Sequence, residues 1–124
     1  MVKGIGAVVI GAFILGSVAP MRAATETVTG KVIDLVCYTR NKANNGDDHD
    51  RARACALACV KWEGQPVGLL TADGKVYQVT GELAAHNNAG IAQHLAHTVT
   101  VTGDVSQKDG MTMIAASNLK MVSK

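Results

Sequence analysis

The 124-residue sequence predicts a mainly β domain with helices, folded as one small barrel. Three observations carry this. Short segments of alternating, β-branched residues recur along the chain, separated by clusters of Gly, Asn and Asp. The related hexapeptides "TVTGKV" (27–32), "QVTGEL" (78–83) and "TVTGDV" (100–105) each set a glycine inside such a segment, where a strand bends to turn a barrel corner. A helix-patterned stretch stands directly before the final strand pair. The unequal gaps between the hexapeptides exclude a solenoid.

Taken in order, "TETVTGKVIDLVCY" reads as a strand over about Glu26–Val36, and "TRNKANNGDD" as a loop without periodicity. Asp47 or Asp48 suits a helix cap and Asp50 the first turn. Ala52, Cys55, Ala56 and Cys59 then form one apolar stripe at i, i+3, i+4 and i+7 of a helix ending near Lys61. "PVGLLTADGKVYQVTG" reads as a hairpin, with strands Val67–Thr71 and Lys75–Thr80 around a turn at Ala72–Gly74. "ELAAHNNAGIAQHLAH" is helical in pattern, broken at Asn87–Asn88 and Gly90, with Ala89–Ala96 the firmer part. Strands Thr98–Ser106 and Met111–Ala115, a turn at Gln107–Gly110 and a last strand at Leu119–Val122 complete the chain. Five or six short bent strands with a helix before the last pair fit an OB-like barrel. A cysteine-bearing helical insertion follows its first strand.

The N-terminus has the layout of a secretory signal peptide over 1–23. Lys3 precedes an uncharged run from Gly4 to Ala19, which is shorter than the ~20 residues a membrane span needs. Cleavage after Ala23 is expected, leaving 24–124 as a single domain in the periplasm or secreted. An uncleaved N-terminal anchor would also place the domain outside the cytoplasm. Lys3 and Arg22 leave with the leader, so ten basic residues face ten acidic ones in the domain. Such a neutral domain has no general attraction to nucleic acid or anionic lipid. Tyr38, Trp62 and Tyr77 are its only large aromatic residues, few for stacking single-stranded bases.

Order and content across Val28–Val122 resemble small exported bacterial proteins with an OB-fold-like barrel. The segments that carry the resemblance are "VTGKVIDLVCY", "CALAC", "PVGLLTADGKVYQV" and "LAHTVTVTGDV". The resemblance implies a fold and an exported location. The insertion at 37–61 departs from the plain five-strand pattern and is where function is expected.

Three cysteines lie in or beside that insertion. Export favours a disulfide. Cys55 and Cys59 on one helix have Cβ atoms roughly 5–6 Å apart, whereas a disulfide needs about 3.5–4.5 Å. Each is better placed to pair with Cys37, closing a loop worth roughly 3 kcal/mol in the chain-entropy model. The alternative is a metal site of Cys37, His49, Cys55 and Cys59, suited to zinc or copper, with Asp34 as substitute for His49. His86, His94 and His97 form a secondary metal candidate, with polar helix residues as the plainer account. Met111, Met113 and Met121 read as core filler before copper ligands. "NNGDDHD" lacks the ligand spacing of a calcium loop.

No nucleophile elbow, phosphate loop or CxxC is present, so a non-enzymatic binding or accessory module is expected. The module either holds a soft transition metal at its Cys/His site, or is a disulfide-stapled domain that contacts a protein, peptide or glycan.

Overall fold

The computed structural model describes residues 24–124; the expected leader, 1–23, lies outside the described residues. Six strands form: β1 (Ala24–Asp34), β2 (Val67–Leu70), β3 (Val76–Thr80), β4 (Thr98–Lys108), β5 (Met111–Ala115) and β6 (Leu119–Ser123). The sheet order is β1-β2-β3-β5-β4, and β4 pairs back onto β1, so five strands close a barrel. Every pairing within the barrel is antiparallel except β3 with β5, which is parallel. The expected OB-like barrel is therefore present. β6 lies against the first half of β4 as a sixth strand.

Closure depends on long strands that change partner. β1 pairs with β4 from Ala24 to Lys31, then with β2 from Lys31 to Asp34. β4 pairs with β1 up to Val105 and with β5 from Asp104 onward. Gly30 and Gly103, of the first and third recurring hexapeptides, stand at these corners, whereas Gly81 of the second follows β3 with φ of 79° and opens a 3₁₀ turn instead of bending a strand. A Cβ on Gly103 would lie 2.3 Å from the Ala115 carbonyl oxygen, and one on Gly30 would lie 3.0 Å from that of Leu70. Neither crossing leaves room for a side chain, which is why the bend needs glycine.

Alternation along β1 sends Val28 and Val32 inward, while Thr25, Thr27 and Thr29 face out. Thr27 and Thr29 share hydroxyl hydrogen bonds with Thr102 and Thr100 across the ladder, and Thr25 donates to Asp104. Such cross-strand pairs contribute about 0.2–1 kcal/mol each. Inside, Val67, Leu69, Val79, Val99, Val101 and Ile114 fill the barrel. Leu83, Ile91 and Leu95 reach in from the segment between β3 and β4. Val60, in the insertion, is fully buried in the same core.

Three local expectations are corrected. The first strand stops at Asp34, and Leu35–Arg40 forms a short helix, α1, that carries Cys37. Asp34 starts it by accepting the backbone N–H groups of Val36 and Cys37, which turns a β-branched run into helix. Helix α2 (His49–Leu57) forms as expected but widens into a π turn over Ala58–Trp62. The inward face consequently runs through Ala56, Leu57 and Val60, and Cys55 is exposed.

Nor is Ala89–Ala96 a regular helix. Short 3₁₀ turns at Gly81–Ala84 and Ala92–His94 flank a kinked turn, α3 (Ala85–Asn88), whose His86, Asn87 and Asn88 have φ of 55°, 55° and 62°. Leu95–His97 is instead drawn to β1: Ala96 N–H donates to Val32, and Val32 N–H to His97. Among the described residues no helix is long and apolar enough to cross a membrane.

Candidate metal centre

The end of β1 sets the site. Asp34 pairs with Val67 in the last rung of the β1–β2 ladder and simultaneously caps α1. Its side chain is only 3 % exposed. Oδ1 accepts two backbone N–H groups, while Oδ2, also buried, has no hydrogen-bond partner. A buried carboxylate oxygen is costly when the weak S–H donor of a neighbouring thiol, here Cys37, is the most that offsets its desolvation.

Cys37 sits one turn into α1, and Cys59 comes from the π turn of the insertion. Ligand atoms of Asp34, Cys37 and Cys59 all lie within 4.8 Å of one another. Around a tetrahedral zinc, with bonds of 2.0–2.3 Å, donor atoms are separated by about 3.5–3.8 Å. The widest separation in the trio therefore exceeds that of a closed site by about 1 Å at most. Among the described residues it is the only group of three or more His, Cys, Asp or Glu side chains gathered tightly enough for one ion.

Burial and neighbouring acidic groups hold both thiols of the group in their protonated form. Burial pushes the Cys37 thiol up to about 11, and the adjoining Asp34 carboxylate adds to the shift, followed by Cys59 and Cys55. Burial also raises Cys59, helped by Asp34, Glu63 and Cys55, with a hydrogen bond from Cys37 opposing. Each negative charge in the group makes the next harder to form, and a bound cation would reverse that.

The turn that carries Cys59 is held from outside the insertion. Asn88 is 4 % exposed, and its amide donates to the Val60 carbonyl at 3.0 Å and to the Gln65 carbonyl at 2.9 Å. The Cys59 carbonyl itself accepts from the N–H groups of Glu63 and Gln65. A small cavity of about 50 Å³ adjoins the site; Asp34, Cys37, Cys55, Arg53, Ala56 and Leu95 are among its walls.

Of the predicted ligands, then, Cys37 and Cys59 come together, and Asp34 joins them. Cys55 is exposed on the wall of the same cavity. His49 opens α2, and its side chain lies outside the described residues. The expected bridge from Cys37 to Cys55 or Cys59 is corrected: all three cysteines are free. Cys37 and Cys59 reach each other as neighbouring thiols, with the Asp34 carboxylate as the third member of the contact. Asn88 was not singled out from sequence; an Asn in an Asn-Asn pair reads as a turn residue, and its buried amide becomes visible only in three dimensions.

The histidines do something else. The rings of His94 and His97 meet edge to face at 5.9 Å, and Arg53 Nη1 lies 3.4 Å from His97 Nε2. The same guanidinium nitrogen donates to the carbonyls of Gln93 and Leu95, tying α2 to the barrel. Burial lowers the His94 pKa, and Arg53 lowers it further. The folded state therefore prefers neutral His94, and below about pH 6.5 the unfolded chain binds more protons. Stability contributed here is present above that pH and is lost as pH falls through the folded value. His94→Gln should flatten the acid side of a stability–pH curve measured by urea unfolding; an unchanged curve would contradict this account.

Compared with protein-family models, curated proteins and solved structures, the chain matches none of them.

Proposed function

We propose that this chain is a small exported module that binds one zinc ion through Asp34, Cys37 and Cys59. The observation that carries the reading is the buried Asp34 carboxylate, one oxygen of which lies within 4.8 Å of two thiols while its Oδ2 lacks a regular hydrogen-bond partner. Two sulfurs with one carboxylate oxygen form a borderline donor set. Zinc accepts such a set, whereas Cu(I) selects thiolate and thioether ligands alone. Export rests on the leader-like pattern at the N-terminus and on the resemblance to exported barrel proteins.

The test is metal analysis with thiol counting on protein purified under reducing conditions. One zinc per chain, with at least two protons released per ion at neutral pH and thiols shielded until a chelator is added, supports the reading. Three freely reactive thiols in the presence of excess zinc would sink it.

A second reading, contact with a protein or peptide partner, has Trp62 in its favour. This sole tryptophan is 77 % exposed beside the Lys61 ammonium, and exposed aromatics of this kind often anchor interfaces.

A further inference from the structure

Resting on that zinc reading, we infer that Cys55 is the fourth, exchangeable ligand of the site. Three protein ligands leave a tetrahedral ion one position short, and closed structural zinc sites use four. Cys55 stands one helical turn before Cys59 and lines the same cavity as Asp34 and Cys37. Cβ atoms at i and i+4 are roughly 5–6 Å apart, too far for an easy disulfide yet suited to chelation of one ion. Of the three cysteines Cys55 alone is exposed, the other two being partly buried.

This arrangement divides the ligands by role. Asp34 and Cys37 belong to the end of β1 and its capped helix, Cys59 to a clamped turn, and Cys55 to the solvent side. An incoming thiol from an acceptor molecule therefore meets the ion at Cys55. In the exchange, a bond forms between the ion and the acceptor's sulfur, and the bond to Cys55 sulfur breaks. The proton leaving the acceptor thiol passes to the Cys55 thiolate, and no electrons change hands. The chemical class of partner is a thiol-bearing metal acceptor.

Cobalt(II) provides the readout, because its sulfur-to-metal charge-transfer absorption scales with the number of bound thiolates. The full chain loaded with cobalt is expected to show three thiolates, and Cys55→Ser two, with the band falling by about one third. Cys55 is exposed, so folding of the variant is checked simply by its far-UV spectrum. Cys55→Ser should also surrender cobalt to a small dithiol at least about tenfold faster than the parent chain when both are saturated, since the fourth position is then open to the incoming thiol. A band of equal intensity in parent and variant, or equal release rates, overturns the inference and leaves the three-ligand site standing. A parent chain that binds no cobalt overturns both.

Discussion

Asp34→Asn is expected to lower zinc affinity by about 1,000-fold while leaving the metal-free fold at least as stable as the parent. The two effects separate because Asp34 does two jobs with two oxygens. Asparagine retains an oxygen that can accept from the Val36 and Cys37 N–H groups, so the cap on α1 survives. It removes the negative charge at a side chain only 3 % exposed, where that charge is poorly solvated and Oδ2 is unpartnered. Relief of this cost favours the metal-free variant. With zinc present the order reverses. Loss of partners outside the coordination shell already costs about 10–100-fold in affinity, so loss of a direct, charged ligand costs more. At free zinc about 1,000 times Kd, binding stabilises the parent by about 4 kcal/mol. A variant bound 1,000-fold more weakly gains only about 0.4 kcal/mol at the same concentration. Thermal unfolding with and without zinc measures both halves at once. A variant that loses more than about 2 kcal/mol without metal yet still responds to zinc would show Asp34 to be structural only.

Asn88→Ala should destabilise the protein by about 3–5 kcal/mol, read from chemical denaturation. The amide makes two hydrogen bonds in a buried setting, to the carbonyls of Val60 and Gln65. Losing them removes about 0.5–1.5 kcal/mol each, and the carbonyls left unsatisfied add to the loss. Residue 88 also has φ of 62°, a conformation that Asn tolerates and Ala resists by about 1–2 kcal/mol. Asn88→Gly divides these contributions, since glycine carries no penalty there while the hydrogen bonds are still lost; about 2–3 kcal/mol should remain. Both variants free the turn that presents Cys59, so each should weaken zinc binding and speed the reaction of Cys59 with a thiol reagent. If Asn88→Gly unfolds as readily as Asn88→Ala, the left-handed backbone contributes nothing and the clamp carries the whole effect. If both match the parent, the clamp is idle.

How far sequence led depended on whether the signal was local. Met111–Ala115 and the hairpin around Asp73–Gly74 are read correctly because alternation and turn chemistry act over neighbouring residues. The barrel corners at Gly30 and Gly103 are legible for a related reason, since the glycine announces a crossing whose other half stays unnamed. "VIDLV" misleads. Its β-branched residues promise more strand, and only the burial of Asp34 against two N–H groups explains the change to helix. "AAHNNAGIAQHLA" misleads in the opposite direction. Its helical pattern is overridden by Asn88 reaching the insertion and by Ala96 joining Val32. In the site, cysteine spacing identified Cys37 and Cys59 together with Cys55. Asp34 entered only as a substitute, because an aspartate at a strand end carries no periodic signature.

The position of Asp34 in the last rung of the barrel ladder has one more consequence. On the proposed zinc reading, Asp34 is fixed to the closed barrel, and Cys59 rides on a turn that Asn88 and the buried Val60 hold against it. An ion of larger radius is therefore accommodated by displacement of that turn, with the barrel unmoved. Discrimination among cations then follows charge and softness and is nearly blind to ionic size, so cadmium should compete with zinc while magnesium and calcium do not.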